Sequence, residues 1–161
     1  MCGIAGYIRR EGLFDPTILD RMLAAVRHRG PDGTGIWQSY ADGLAFAHAR
    51  LKVQDLTDAA DQPMHSADGT TTLIFNGEIY NFRELRDDLH RAGASFRSTG
   101  DTEVLLELCR RDPQLGLRKR WSTRDRCFAI DCFPEATGRF IALSRLPDPP
   151  AGDFKPPRRP S

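Results

Sequence analysis

Cys2-Gly3-Ile4-Ala5-Gly6-Tyr7-Ile8 is the stretch on which the reading of this chain turns. Its apolar run predicts a mostly buried strand, with glycines where a neighbour packs close. The residue at its head matters most. Cysteine is small enough for an aminopeptidase to remove Met1 and leave Cys2 as the first residue of the mature chain. Such a residue carries two reactive groups. Its thiolate is a nucleophile, and its α-amine titrates near ~7.7–8.0, where it can shuttle protons. A Met-Cys start can equally be an accident, so the rest of the chain has to decide.

A chain of 161 residues, 40% hydrophobic and 28% charged, suits one soluble domain with a sizeable core. A net charge of +1 gives no overall pull toward nucleic acid or membrane. No apolar run reaches membrane-spanning length, and Arg9, Arg10 and Glu11 interrupt the start too early for a secretory segment. The amino terminus is therefore expected to stay on the mature protein. Cys2, Cys109, Cys127 and Cys132 form no CxxC pair and the four histidines are scattered, so no metal site is expected. Cys109, Cys127 and Cys132 read as packing thiols, and a reducing, cytoplasmic setting fits.

Outward from the first strand, Asp15-Pro16 predicts a helix start, with Ile18, Leu19, Met22, Leu23 and Val26 on one face and Gly30-Pro31 as the stop. Strands are expected at about 35–40 and 44–49, the second alternating Leu44, Phe46 and His48 with alanines. That alternation makes His48 a satisfied core histidine rather than a catalyst. Residues 51–56 read as a short extended piece leading to Gln62-Pro63-Met64, and 71–75 as a strand ending at Asn76-Gly77. Asn81 and Glu84 suggest a capping box for a helix ending at Gly93, Ser95 to Ser98 a short strand, and Asp101 the cap of a third helix carrying Val104, Leu105, Leu108 and Cys109. Cys127–Ile130 and Phe140–Leu143 read as a hairpin turning at Pro134–Gly138. Six prolines among the last sixteen residues predict a disordered tail over 146–161.

Five motifs occur in order: Cys2–Gly6, His28-Arg29-Gly30-Pro31-Asp32-Gly33, Arg50-Leu51 with Asp55-Leu56 and Gln62–Met64, Asn76-Gly77-Glu78-Ile79-Tyr80-Asn81, and Gly100-Asp101-Thr102-Glu103-Val104. This succession resembles the glutaminase domain of class II, N-terminal-nucleophile glutamine amidotransferases, above all the glutamine-hydrolysing asparagine synthetases. The likeness is close over residues 1–112 and weaker over 127–144, which outlines a domain at 1–145. It implies an α+β fold, the four-layer αββα sandwich of N-terminal nucleophile hydrolases, incomplete at its C-terminal end. The sugar-phosphate aminotransferase type is the competing relative. It is similar at Cys2 and Asn76–Glu78, but carries a tryptophan-containing arginine motif where this chain has Ala49-Arg50-Leu51.

The resemblance also implies a chemistry. Cys2 attacks the side-chain amide of L-glutamine, and Asn76 with the Gly77 N–H forms the oxyanion hole. Asn-Gly is otherwise a favoured hairpin turn, and a tight turn is compatible with presenting an N–H. Arg50 takes the α-carboxylate, Glu78 and Asp101 take the α-ammonium, and Leu51 and Val53 line the pocket. His28–Gly33 shapes a loop beside it. The implied products are glutamate, through a thioester, and ammonia, destined in the full-length family for amidation of aspartate in asparagine biosynthesis. This step needs no metal or cofactor. ATP and magnesium belong to the family's synthetase domain, and these 161 residues contain neither GxGxxG nor GxxxxGK[ST].

Two stretches depart from the family pattern. Residues 113–126 carry Arg118, Lys119, Arg120, Arg124 and Arg126 where a helix end and an apolar approach to the next strand are expected, and the proline-rich tail stands where further strands would follow. A frameshift or truncation is the expectation this raises, and with it an inactive fragment as the alternative to an ammonia-delivering glutaminase with a synthetase partner. The basic cluster, with Arg158 and Arg159, has only Trp121 as a stacking aromatic and reads as solvated charge rather than a nucleic-acid contact.

Overall fold

A computed structural model describes residues 2–9, 15–40, 43–111, 127–132 and 139–145, the last two segments as backbone. It contains strands β1 (Gly3–Ile8), β2 (Gly33–Ser39), β3 (Leu44–Arg50), β4 (Met64–His65), β5 (Thr71–Asn76), β6 (Cys127–Cys132) and β7 (Arg139–Arg145). The helices are α1 (Pro16–Val26), α2 (Phe82–Arg91) and α3 (Asp101–Arg111). The described residues are α+β, as the resemblance implied.

β3 is the centre of the first sheet, antiparallel to β1 on one side and β2 on the other. All seven of its residues are buried, which its two-residue alternation explains. Ala45 and Ala47 lie under Leu19 of α1, with Ala5, Tyr7 and Leu23 around them. Small side chains there let the helix approach. Leu44 and Phe46 point the other way and pack with Ile74 of β5, so the two sheets meet through these residues. Leu73 and Phe75, alternating with Ile74, join Leu85 and Leu89 of α2 and Val104, Leu105, Leu106 and Cys109 of α3 in the largest apolar cluster.

In the second sheet β4 runs antiparallel to β5, β5 parallel to β7, and β7 antiparallel to β6. The β6–β7 pairing agrees with the hairpin expectation. The parallel register of β5 on β7 had no local signal, because it is set between segments over sixty residues apart.

The ends of α1 and α2 follow elementary rules. Asp15 accepts the Thr17 N–H at 2.9 Å, and proline stands first in the helix, as expected. α2 closes on Gly93 at φ +83°, with Gly93 N–H to His90 C=O and Ala94 N–H to Leu89 C=O. Three expectations need correction. The Asn81 side chain makes no cap bond to α2, so the capping box does not form. Ser95 to Ser98 is no strand: the N–H groups of Arg97 and Ser98 are taken by the Glu103 carboxylate at 2.7–3.0 Å instead of by a neighbouring chain. Asp101 is the first residue of α3, and its carboxylate reaches Ile79 rather than acting as the cap of its own helix. The short extended piece read at 51–56 leads into a segment that is irregular up to Gln62 apart from a 3₁₀ turn at Asp58–Ala60. The readings of 113–126, of the 134–138 turn and of the 146–161 tail lie outside the described residues.

His48 is fully buried, as alternation predicts, but not satisfied: neither ring nitrogen has a hydrogen-bond partner among the described residues. Burial, with the Arg50 charge acting the same way and the Phe75 backbone and the Asp61 charge opposing it, pulls its pKa from 6.5 down to about 4. The unfolded chain therefore binds a proton near pH 6.5 that the folded chain refuses until about pH 4. Stability from this group is full above 6.5 and is lost as pH falls to about 4. The melting temperature should drop across that window, and His48→Leu should flatten the drop. An identical slope in the variant would assign the loss to other groups.

Candidate active site

Cys2 stands immediately before β1, whose register places Gly3 opposite Ala49, so the cysteine comes to the end of β3 beside Arg50. The Leu51 N–H lies 3.3 Å from Cys2 Sγ, and Arg29 Nε donates to the Cys2 carbonyl at 3.1 Å. The His28–Gly33 segment is held there by Gly30, where an added Cβ would sit 2.2 Å from the Ala49 carbonyl oxygen. No larger residue fits without moving β3. The segment adjoins the nucleophile but does not line the cavity described next.

β5 delivers the opposite wall. It ends at Asn76, which shares its face with Ile74, toward the first sheet, and is 6% exposed. Gly77 follows in the open, its backbone pressed so near the Phe75 ring that a Cβ would lie 2.7 Å away. A cavity of about 300 Å³ opens between these walls, at the small end of the ~300–1,000 Å³ typical of ligand sites. All eight residues singled out in the sequence, Cys2, Arg50, Leu51, Val53, Asn76, Gly77, Glu78 and Asp101, line it. In sequence 48 residues separate Cys2 from Arg50, 26 separate Arg50 from Asn76 and 25 separate Asn76 from Asp101, and the fold closes these gaps.

The charges are unevenly set. Arg50 is 6% exposed, so it is no solvated strand-end arginine. Its Nη1 donates to the Thr57 carbonyl at 2.8 Å and to Asp61 Oδ1 at 2.5 Å, and its Nη2 to the Asp55 carbonyl. Asp101 is buried; its Oδ2 accepts the Ile79 N–H at 2.9 Å. Burial raises its pKa, partly offset by that bond, while the nearby Glu78 charge pushes further upward. Glu78 itself is exposed and accepts from Gln54 Nε2 at 3.1 Å.

Sequence reasoning missed the groups that hold these residues in place. Asp55 accepts four hydrogen bonds, from the N–H and hydroxyl of Thr57 and from those of Thr99, and so ties the 51–57 segment to the turn that enters α3. Those bonds hold its carboxyl far below the usual carboxylate range. Gln62 Oε1 accepts the Phe75 N–H at 2.6 Å, and its Nε2 reaches Thr102 Oγ1 at 3.4 Å, joining β5 to α3. Both residues belong to the motifs quoted above, but nothing in the sequence tells a brace from a ligand. Asp55→Ala should free the two segments together. We expect a lower melting temperature, about 1–3 kcal/mol for the polar groups left unpaired, read by denaturant unfolding. Unchanged stability would show that the clasp is incidental.

A thiol shares a cavity with a buried carboxamide and an open glycine N–H, and a cation and three acidic residues line the same space. That set suits acyl transfer on a small zwitterion. Residues 1–144 match the glutamine amidotransferase domain. The chain belongs to that family. Among curated relatives, this amidotransferase domain is 39% identical to asparagine synthetase [glutamine-hydrolyzing] 3 of Bacillus subtilis over 111 residues, 66% of this chain and 17% of the relative. It is 38% identical to that organism's asparagine synthetase [glutamine-hydrolyzing] 2 over 115 residues, 67% of this chain and 14% of the relative. It is 35% identical to a putative asparagine synthetase [glutamine-hydrolyzing] 2 of Methanocaldococcus jannaschii over 127 residues, 67% of this chain and 24% of that protein. The domain thus spans under a quarter of the length of these relatives. It is a class II amidotransferase domain most similar to the N-terminal region of asparagine synthetases. No described helix is long and apolar enough to cross a membrane.

Proposed function

We propose that this domain hydrolyses L-glutamine to glutamate and ammonia, as the glutaminase half of an asparagine-synthetase-type enzyme. One observation carries the reading: the Cys2 thiol, the Asn76-Gly77 pair and the Arg50 and Asp101 charges line a single cavity. Once Met1 is removed, the Cys2 thiolate adds to the side-chain amide carbon of glutamine. The oxyanion that forms is met by the Asn76 carboxamide and the Gly77 N–H, each donor of this kind being worth about 3–4 kcal/mol of barrier. The carbon–nitrogen bond breaks, ammonia leaves with a proton returned by the α-amine, and a thioester remains on Cys2. Water, deprotonated by the same amine, releases glutamate. Arg50 holds the α-carboxylate, Glu78 and Asp101 the α-ammonium, with Leu51 and Val53 beside them.

The packing order, α1, the β1–β3–β2 sheet, the β5 sheet, then α2 and α3, supports the αββα architecture of N-terminal nucleophile hydrolases. On this reading the domain spans 1–145 of a cytoplasmic protein, and its ammonia is destined for a synthetase module that would use ATP and magnesium. The hydrolytic step draws on neither. The test is glutamate release from L-glutamine by the processed chain, dependent on the Cys2 sulfur. Release that is indifferent to Cys2 would end the reading.

A further inference from the structure

We propose that Asp61, which does not line the cavity, sets the selectivity of the site by partly neutralising Arg50 from behind. The inference rests on the glutamine-binding reading above. Arg50 is the only cation lining the cavity among the described residues, against the carboxylates of Asp55, Glu78 and Asp101. Asp61 is bound to its Nη1 at 2.5 Å, from a position half exposed to solvent. The guanidinium does not need Asp61 to stay in place, because the Thr57 and Asp55 carbonyls also hold it. Those three bonds use three of the five donor hydrogens and leave two for a ligand. What Asp61 adds is charge. It lowers the positive potential an incoming α-carboxylate meets, whereas among the described residues no cation is paired with Asp101, which is buried and feels the Glu78 charge.

Recognition therefore leans on the ammonium end of the substrate. The class accepted is ω-amides with a free α-amine, and the α-carboxylate is the less demanding handle. Glutamine whose carboxylate is replaced by a carboxamide should be tolerated better than glutamine whose amine is acetylated.

Asp61→Asn tests this, since asparagine keeps an acceptor for Nη1 and removes the charge. Dissociation constants for L-glutamine, glutamine α-carboxamide and Nα-acetylglutamine are measured by calorimetry on the full chain carrying Cys2→Ala, with and without Asp61→Asn. KM and kcat are measured on the chains that retain Cys2. The parent should lose more affinity on acetylation than on amidation. Asp61→Asn should bind L-glutamine about three- to tenfold more tightly, a modest factor because the pair is half exposed, and should leave the α-carboxamide unchanged. The change should fall on KM rather than kcat, and Asp61→Glu should restore the parent ratio. Weaker glutamine binding in Asp61→Asn would make Asp61 an orienting strut and overturn the proposal, as would an unchanged ratio in a folded variant. If Asp61→Asn does not fold, an Asp61→Glu ratio different from the parent's overturns it. A parent that binds none of the three compounds overturns the glutamine reading itself, and this proposal with it.

Discussion

Replacing Cys2 by alanine should abolish glutamate release from L-glutamine, by at least ~10⁴-fold, while glutamine still raises the melting temperature of the variant. Among the described residues lining the cavity no other carries a comparable nucleophile, so loss of the thiol removes the proposed covalent step. On the proposed reading binding draws on other residues, Arg50 and Asp101 in particular, and should survive. A ligand at a hundred times its dissociation constant adds about 2.7 kcal/mol to stability, on the order of 5–10 °C for a chain of this size. Loss of turnover with retained stabilisation separates a disarmed site from a collapsed one. Cys2→Ser is the sharper control: a hydroxyl in the same place is a poorer nucleophile with a similar shape, so a trace of turnover is expected. The intact mass of the wild-type chain belongs to the same experiment, since a retained Met1 would block the α-amine and remove the base. Glutamate release at the wild-type rate from Cys2→Ala would place the chemistry elsewhere in the molecule.

How far the fold could be read from the letters depended on whether a signal was local. The alternation of β3 gave away both of its faces, because alanines and large apolar residues cannot exchange sides in a two-residue repeat. The stop of α2 was equally plain, since only glycine sits easily at the left-handed Gly93. Ser95–Ser98 misled because the strand rule counts side chains and cannot see that Glu103 has already claimed the backbone N–H groups. Asn81 misled in the same way: its spacing to Glu84 suits a box, but its φ of −95° and ψ of 23° aim it elsewhere. In the site, the eight lining residues were legible through resemblance to a family. The braces were not. Asp55 and Gln62 act through backbone N–H groups and threonine hydroxyls, and such partners leave no periodicity to read. The burial of Arg50 belongs with them, because it follows from a loop folding back over a strand end.

Asp101→Asn should move stability and affinity in opposite directions. The Asp101 carboxyl is buried, and its folded-state pKa lies above its ordinary value of 3.8. Below 3.8 both folded and unfolded chains hold the proton, and the group contributes in full. As pH rises through the raised folded value that contribution is lost, so at neutral pH the ionised carboxylate strains the empty domain. Asparagine keeps an oxygen for the Ile79 N–H and carries no charge. The variant should therefore melt no lower than wild type at pH 7, and the difference should shrink in acid. On the proposed reading the substrate's α-ammonium pairs with the wild-type carboxylate, and removing one partner of such a buried pair costs about 2–5 kcal/mol, some thirtyfold to several thousandfold in KM. The pH profile supplies an independent check: wild-type KM for glutamine should climb as pH falls through the Asp101 value, and the variant's should not. Asp101→Ala distinguishes the two duties of the side chain, because it also strands the Ile79 N–H and should lose stability as well. If Asp101→Asn lost stability yet bound glutamine normally, Asp101 would be a brace like Asp55, and the ammonium would have to be met by Glu78 alone.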